Sequence, residues 1–203
     1  MSKSVGNVVV PTDLLEQHGA DAVRYWSASA RPGTDTAFDA GQMKIGRRLA
    51  IKILNASKFA LGLGPAATDA AVTQPLDRAV LAELADLVDD ATRAFDAFDY
   101  ARALQRTEDL FWRFCDDYLE LVKGRAYGSG PDDAGAGATS ARVALRTSLS
   151  TLLRLFAPFL PYVTEHIHRA LCDGASVHLE DWPDASAFAV DAVQYAMNRI
   201  SSR

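Results

Sequence analysis

The chain has 203 residues, of which 49% are hydrophobic and 23% charged, and its formal net charge at pH 7 is −5. That composition is typical of a soluble protein that buries a core. Without an apolar run near the ~20 residues of a membrane helix, and without a signal peptide, we expect no membrane contact and a cytoplasmic location. Two cysteines, Cys115 and Cys172, exclude a disulfide framework.

Charge is distributed unevenly along the sequence. Residues 1–60 carry eight basic and five acidic side chains, whereas residues 61–140 carry seven basic and fifteen acidic ones. All charged side chains between residues 40 and 60 are positive, namely Lys44, Arg47, Arg48, Lys52 and Lys58. Such a strip is typical either of a solvated helix face or of a surface that contacts phosphates, and charge alone leaves both interpretations open.

The first sixty residues predict short elements and one longer helix. The opening stretch MSKSVGNVVVP predicts a polar loop that runs into a short strand before Pro11. Two short helices are predicted next, on either side of Gly19. Residues 31–41 contain Gly and Pro and are predicted to be extended. Between Gln42 and Leu61, apolar residues recur every three or four positions, so this segment predicts a helix with a largely basic remaining surface.

The rest of the chain is predicted to be mostly helical. Apolar residues at helical spacing predict helices over residues 76–98, 100–122, 141–157 and 161–171. They are joined by a linker at 62–75 and a Gly/Ala-rich surface loop at 124–140, and they are followed by an extended stretch at 176–183 and a helical tail.

These elements together predict a mainly α fold. We expect a helical bundle over residues 41–183, preceded by a small mixed α/β connective piece at 1–40 and followed by a C-terminal tail at 184–203. The long helices are connected so that neighbours run antiparallel, and no internal repeat is visible in the sequence.

Several residue clusters suggest chemistry but favour a structural interpretation. His166 and His168 stand two apart on a predicted helix and therefore point to different faces, so no metal site is expected. Cys115 lies on an apolar face and is predicted to be core rather than a nucleophile. The acidic cluster of Asp116, Asp117 and Glu120 is typical of a solvated helix face, paired with Arg113 or Lys123. The aromatic residues Phe95, Phe98, Trp112 and Tyr118 are predicted to be core rather than platforms for stacking nucleobases.

Five stretches of the sequence resemble one protein family. MSKSVGNVV, at the start, resembles the KMSKS signature loop of class I aminoacyl-tRNA synthetases without its first lysine. Residues 19–59 are similar to the segment that follows that loop in valyl-tRNA synthetases. FWRFCDDYLELVKGRAYG (111–128) and LLRLFAPFLPYVTEHIHRAL (152–171) resemble that family's anticodon-binding bundle, and SVHLEDWP (176–183) resembles the segment that closes it. The resemblance runs in order from residue 1 to about residue 183.

The resemblance implies a role for the opening loop in ATP-dependent valine activation. Lys3 matches the mobile lysine that stabilises the charge developing as pyrophosphate leaves ATP. Ser2 and Ser4 match the hydroxyl groups that help to bind ATP, with Mg²⁺ expected alongside it. In the family, the nucleotide-binding fold with its HIGH-type motif, the editing domain and the first KMSKS lysine come before this point. We therefore expect the catalytic domain on upstream chain or on a separate subunit, and we expect the isolated chain to hold no cofactor and to be inactive.

For the bundle, the resemblance implies binding of tRNA, with tRNA(Val) as the expected partner. This favours the phosphate-contact interpretation of the basic helix, with Lys44, Arg47, Arg48 and Lys52 as its candidate residues. One local departure is EHIH at 165–168, where the family usually has an acidic pair and a tryptophan.

Three interpretations of the whole chain stay open on the sequence. The first is the C-terminal part of a valine–tRNA ligase, and the second is a truncated paralogue or subunit that binds tRNA or a partner without catalysis. The third is a non-functional remnant that still folds. The choice of valine rests on the resemblance, and the isoleucyl, leucyl and methionyl synthetases are near alternatives.

Overall fold

A computed structural model describes residues 11–35, 38–64, 70–128 and 135–188 of the chain. In these residues the regular secondary structure is helical, and the prediction of a mainly α fold is confirmed. None of the described helices is long and apolar enough to cross a membrane. The strand predicted before Pro11 and the tail beyond residue 188 lie outside the described residues, and the predicted domain limits stay a prediction.

Eight α-helices follow one another in the described chain. They are α1 (Pro11–His18), α2 (Ala20–Ala28), α3 (Ala40–Gly62), α4 (Pro75–Asp96), α5 (Tyr100–Arg113), α6 (Leu119–Tyr127), α7 (Ala136–Phe156) and α8 (Pro161–Leu171). A π-helical turn, Phe114–Tyr118, joins α5 to α6 without a break, and short 3₁₀ turns occupy Val177–Leu179 and Ala185–Phe188.

The predicted loop at 124–140 is wrong at both of its edges. Helix α6 continues to Tyr127, where Gly128 ends it with a left-handed φ of 71°. Helix α7 already begins at Ala136. The alanines of this segment explain the difference, because Ala has the highest helix propensity and offsets the glycines between them. The stretch at 176–183, predicted to be extended, contains a 3₁₀ turn over Val177–Leu179.

Helices α3, α4, α5–α6 and α7 form a four-helix bundle in which consecutive helices run antiparallel. At the distal end, defined as the end where α4 and α7 begin, the end of α3 meets the end of α6 through Phe59 and Tyr127. At the opposite, proximal end, the last turn of α4 meets the end of α7 through Phe95 and Phe159. The core between them includes the fully buried rings of Phe111 and Phe156, whose centroids are 5.6 Å apart.

The N-terminal helices pack tightly against this bundle. Helix α2 crosses α3 at Gly46, where an added Cβ would lie only 2.6 Å from Cβ of Tyr25. The Tyr25 hydroxyl then donates to Oε2 of Glu108 on α5 (2.7 Å). The carboxylate of Asp21 accepts from the first backbone N–H groups of α8, at Tyr162 and Val163. Contacts with α3, α5 and α8 therefore fix the orientation of α2.

A buried polar cluster holds the distal end together. The Asp77 side chain is fully buried, and its two carboxylate oxygens accept from both Nη atoms of Arg125 at 2.7 Å. Tyr118 Oη and Ser140 Oγ donate to the same carboxylate at 2.8 and 2.6 Å. Burial, together with the nearby Asp77 charge, raises the pKa of the Tyr118 phenol. We call Asp77, Tyr118, Arg125 and Ser140 the Asp77 clasp; it joins α4, the π-helical turn, α6 and α7.

Gly46→Ala tests the close crossing of α2 and α3. The new methyl group meets the Cβ and ring atoms of Tyr25, which are near the backbone and cannot rotate away, so we expect a loss of about 1–3 kcal/mol. The matched control is Gly124→Ala in α6, where no atom of the described residues lies within 4 Å of the added Cβ and alanine should gain about 1 kcal/mol. Urea unfolding followed by circular dichroism measures both, and equal midpoints for the two variants would contradict the crossing.

Asp77→Asn tests the clasp. Removing the charge leaves Arg125, whose side chain is only 15% exposed, beside a neutral group, so we expect a loss of about 3–5 kcal/mol. In the control, Asp116→Asn, the lost ion pair with Lys52 is solvent-exposed and should cost less than about 1 kcal/mol. A clasp variant no less stable than the control in the same urea titration would show that the cluster does not hold the distal end.

Candidate nucleic-acid interface

Helix α3 separates its apolar residues from its charged ones. Asp39 caps its start by accepting from the backbone N–H of Gly41 (2.7 Å), and the buried face includes Met43, Leu49 and Ile53. On the outward face lie five exposed residues, spaced three or four apart: Lys44, Arg48, Ile51, Asn55 and Lys58. We call these five residues the α3 stripe. At 1.5 Å of rise per residue, the stripe is about 21 Å long.

The structure divides the four basic residues predicted to contact phosphates into two pairs. Lys44 and Arg48 belong to the α3 stripe, and neither makes a side-chain hydrogen bond or ion pair within the described residues. Arg47 instead donates from Nη1 to the carbonyl of Gln17 (2.7 Å), which attaches α3 to α1. Lys52 donates from Nζ to Oδ1 of Asp116 (2.9 Å), and its ammonium lies 5.4 Å from the centroid of the Trp112 ring.

The environment of Lys52 shows that it already has a charged partner. The hydrogen bond with Asp116 raises the pKa of Lys52, with the Asp116 charge also contributing, while burial opposes the shift. Lys52 is thus a protonated member of an ion pair between α3 and the π-helical turn. Lys58, near the end of α3, is also exposed, although it was not among the four residues predicted to contact phosphates.

An aromatic pair lies beside the distal end of the stripe. The rings of Phe59 and Tyr127 meet edge to face, with centroids 5.7 Å apart. Tyr127 is 55% exposed, and Lys123 Nζ lies 6.0 Å from the centroid of the Phe59 ring. The exposed ring of Tyr127 and the ammonium of Lys123 thus both lie beside Phe59, and an aromatic ring with a cation nearby suits an unstacked nucleobase.

The sequence did not predict this aromatic pair, because Phe59 counts there only as one of the apolar residues that recur between Gln42 and Leu61. The available signal is the position of Tyr127 immediately before Gly128, since a residue that precedes a C-terminal glycine stands at the last turn of its helix. The helix was instead predicted to end before residue 124, which left Tyr127 in a loop.

Three of the four aromatic residues predicted to be core are packed, and one is not. Tyr118 is buried, while Phe95 and Trp112 are partly buried against the core. Phe98 is 69% exposed, so its assignment to the core was wrong. Helix α4 ends at Asp96, and the chain turns before Phe98 can continue the apolar face of the helix.

Several residues whose side chains could suggest chemistry from the sequence have structural roles in the fold. Burial raises the pKa of the Cys115 thiol to about 12, so it is protonated at neutral pH and a poor nucleophile. His168 is buried, and its Nδ1 lies 3.1 Å from the carbonyl oxygen of Ala175. Glu165 accepts from Arg169, Ser176 and the backbone N–H of Val177, which fixes the loop after α8. Ser2, Lys3 and Ser4 lie outside the described residues, and their predicted roles stay predictions.

Comparison with known proteins gives two family matches. Residues 77–202 match the family described as the anticodon-binding domain of tRNA ligase, and residues 1–39 match the class I tRNA synthetases for I, L, M and V. The first match spans α4 to α8 and includes the Asp77 clasp, Lys123 and Tyr127.

Similar proteins include several valine–tRNA ligases. The chain is 60% identical over 195 residues to that of Leifsonia xyli subsp. xyli, covering 94% of this chain and 22% of the relative. It is 60% identical to that of Thermobifida fusca (95% and 22%) and 57% identical to that of Salinispora tropica (98% and 23%). The chain thus spans about a fifth of the length of these relatives.

A similar solved structure is the ternary complex of Agrobacterium radiobacter K84 agnB2 LeuRS, tRNA and LeuAMS. It matches with a TM-score of 0.68 over 92% of this chain and 22% of that chain, at 19% sequence identity. At this identity, the match shows that the two proteins share the fold of this region.

Proposed function

Because this chain belongs to the anticodon-binding domain family of tRNA ligases, we propose that its helical bundle binds tRNA as part of a valine–tRNA ligase. Relatives that are 57–60% identical over nearly the whole chain support valine over the other amino acids of the wider class. The proposed partner is therefore tRNA(Val), in the cytoplasm.

The observation that carries this proposal is the arrangement of cations and aromatic rings on one surface. Three exposed cations of the α3 stripe, Lys44, Arg48 and Lys58, follow the helix for about 21 Å, which is 14 rises of about 1.5 Å. Phosphates along a nucleic-acid strand are spaced at a few ångströms, so such a row meets several of them. The row ends beside the Phe59–Tyr127 pair, where an unstacked base finds a ring and the ammonium of Lys123.

The two parts of this surface have different roles in the proposal. Phosphate contacts along the α3 stripe position the tRNA and carry no sequence information. The aromatic pair at the distal end is the place where bases of the anticodon loop are distinguished, because single-stranded loops expose the base edges that a protein reads. Anticodon recognition is therefore assigned to the distal end of the bundle and tRNA orientation to α3.

Residues 1–39 support a further proposal about the catalytic role of the opening loop. Their match to class I tRNA synthetases supports Lys3, with Ser2 and Ser4, as the ATP-binding signature of a longer enzyme. Lys3 would stabilise the departing pyrophosphate, with ATP and Mg²⁺ as the cofactors. The chain spans about a fifth of its relatives, so we place the groups that position valine and ATP on chain beyond these 203 residues.

Valine-dependent ATP–pyrophosphate exchange tests this division. The 203-residue chain should give the rate of the protein-free blank, because a lysine without positioned substrates supplies no catalysis. Exchange that saturates with valine would show that these 203 residues hold a complete activation site.

A salt titration of tRNA binding tests the α3 stripe. Three phosphate contacts predict that log K falls with log salt concentration with a slope of about −2 to −3. Replacing two cations of the stripe, Arg48→Gln with Lys58→Gln, should make that slope shallower by about 1.5. The matched control is Arg47→Gln with Lys52→Gln, which removes the same charge from positions already bonded to Gln17 and Asp116 and should leave the slope unchanged.

Two outcomes of this titration would contradict part or all of the proposal. An equal change of slope in both double variants would show that Arg47 and Lys52 also contact phosphates, as the sequence predicted. A wild-type chain that binds no tRNA at low salt would overturn the proposed function.

Replacing Tyr127 tests the aromatic pair. Tyr127→Leu should weaken binding of tRNA(Val) about tenfold and reduce the preference of the chain for tRNA(Val) over an anticodon-swapped tRNA. The control Tyr127→Phe keeps the aromatic ring and should keep both the affinity and the preference.

A further inference from the structure

Phe98 occupies a backbone position that favours glycine. Its φ is 58°, and the turn around it has the hydrogen bonds of a Schellman motif. The Phe98 N–H donates to the carbonyl of Phe95 (3.0 Å), and the Asp99 N–H donates to the carbonyl of Ala94 (2.8 Å). The left-handed residue of this motif is usually Gly, because a side chain there crowds the backbone. A bulky aromatic residue at positive φ is therefore an outlier that needs an explanation.

Burial does not explain the choice of phenylalanine at this position. The Phe98 side chain is 69% exposed, and its ring meets the Tyr100 ring edge to face, with 6.3 Å between the centroids. Tyr100 is itself 38% exposed. Neither the backbone conformation nor packing in the core favours an aromatic ring at this position. We therefore expect the Phe98 ring to contact a ligand outside the described chain.

A cleft of about 630 Å³ lies beside this turn, at the proximal end of the bundle. Phe95, Tyr100 and Phe159 form one wall, with centroid distances of 5.7 Å and 5.6 Å from Phe95 to the other two. The opposite wall comes from α2 and the residues after it, including Arg24 and Arg31. Its volume falls in the range of pockets that hold small molecules or one residue of a larger ligand.

The polar groups of the cleft select for a negatively charged ligand. Two guanidinium groups line it, and no carboxylate is among the described residues of its walls. Arg24 Nη2 donates to the carbonyl of Pro158 (2.7 Å), which holds that side chain across the cleft. The Arg31 guanidinium makes no hydrogen bond or ion pair within the described part of the chain. Ser27 and Thr34 place hydroxyl groups on the same wall.

We propose that this cleft binds one unpaired nucleotide of the bound tRNA. The base stacks on Tyr100 and meets the Phe98 ring, which is perpendicular to Tyr100, at its edge. The phosphate contacts Arg31, and the Ser27 hydroxyl is available to the base or the ribose. Aromatic rings combined with arginines are the usual platform for an unstacked base. The proposal rests on the proposed function and adds a second contact, because α4 separates the cleft from the Phe59–Tyr127 pair by about 33 Å along its 22 residues.

Binding of adenosine 5′-monophosphate, measured by equilibrium dialysis, tests the cleft without tRNA. The 203-residue chain should bind the nucleotide saturably, and Arg31→Gln and Phe98→Gly should each weaken binding about tenfold. Phe98→Gly should also raise the unfolding temperature, since glycine relieves the left-handed strain; this shows that the variant is folded. The matched control is Arg93→Gln, an exposed arginine on α4 that does not line the cleft. No saturable binding, or equal affinity in all four proteins, overturns the proposal.

Ultraviolet cross-linking to tRNA(Val) tests the same site in the complex. Trypsin releases residues 94–102, which contain Phe95, Phe98 and Tyr100, as one peptide, and residues 59–78 and 126–142, which contain Phe59 and Tyr127, as two others. We expect nucleotide adducts on the 94–102 peptide, and we expect Phe98→Gly to reduce their yield at a fixed tRNA concentration.

The cross-linking result also separates the two proposals. Adducts confined to the 59–78 and 126–142 peptides would keep the proposed function and overturn the cleft. Docking of a protein surface instead of RNA would likewise leave the 94–102 peptide free of adducts. Absence of tRNA binding by the wild-type chain would overturn the proposed function, and the cleft proposal would fall with it.

Discussion

The fully buried carboxylate of Asp77 is the interaction on which the distal end of the bundle depends. A carboxylate in that position is tolerated only because donors surround it, and here they come from three other segments of the chain. Ser140 Oγ also accepts from the backbone N–H groups of Thr73 and Gln74, so the segment that enters α4 is included. These directional bonds give the joined helices a defined register at this end.

The π-helical turn connects this buried cluster to the exposed surface. Within Phe114–Tyr118, Tyr118 faces the core and reaches Asp77, while Asp116 faces outward and pairs with Lys52 on α3. The same turn thus fixes α4 on one side and α3 on the other. Extra residues of this kind within helices recur at functional sites, and here the turn supplies the carboxylate that pairs with Lys52 of α3.

The sequence predicted the helices well because their apolar periodicity is a local property. The interior of α4, α5 and α7 was predicted correctly, and so was the exposure of Lys44 and Arg48 on α3. The bonds of Arg47 and Lys52 were not predictable, since their partners lie 30 and 64 residues away and are brought close only by folding. The prediction that Phe98 is buried in the core was wrong for a different reason. Its spacing from Phe95 continues the apolar pattern of the helix, but the Schellman turn ends the helix and directs the Phe98 side chain to solvent.

The close crossing at Gly46 fixes the angle between helices α2 and α3. With no side chain between them, the two backbones cannot slide or rock without a clash at Tyr25, whose hydroxyl is also bonded to Glu108. Lys58 lies 12 residues beyond the joint, about 18 Å along the helix, so a tilt of about 10° would displace it by roughly 3 Å. That is the length of a hydrogen bond. Whatever contacts α1 and α2 is consequently held in a fixed alignment with the far end of the basic stripe.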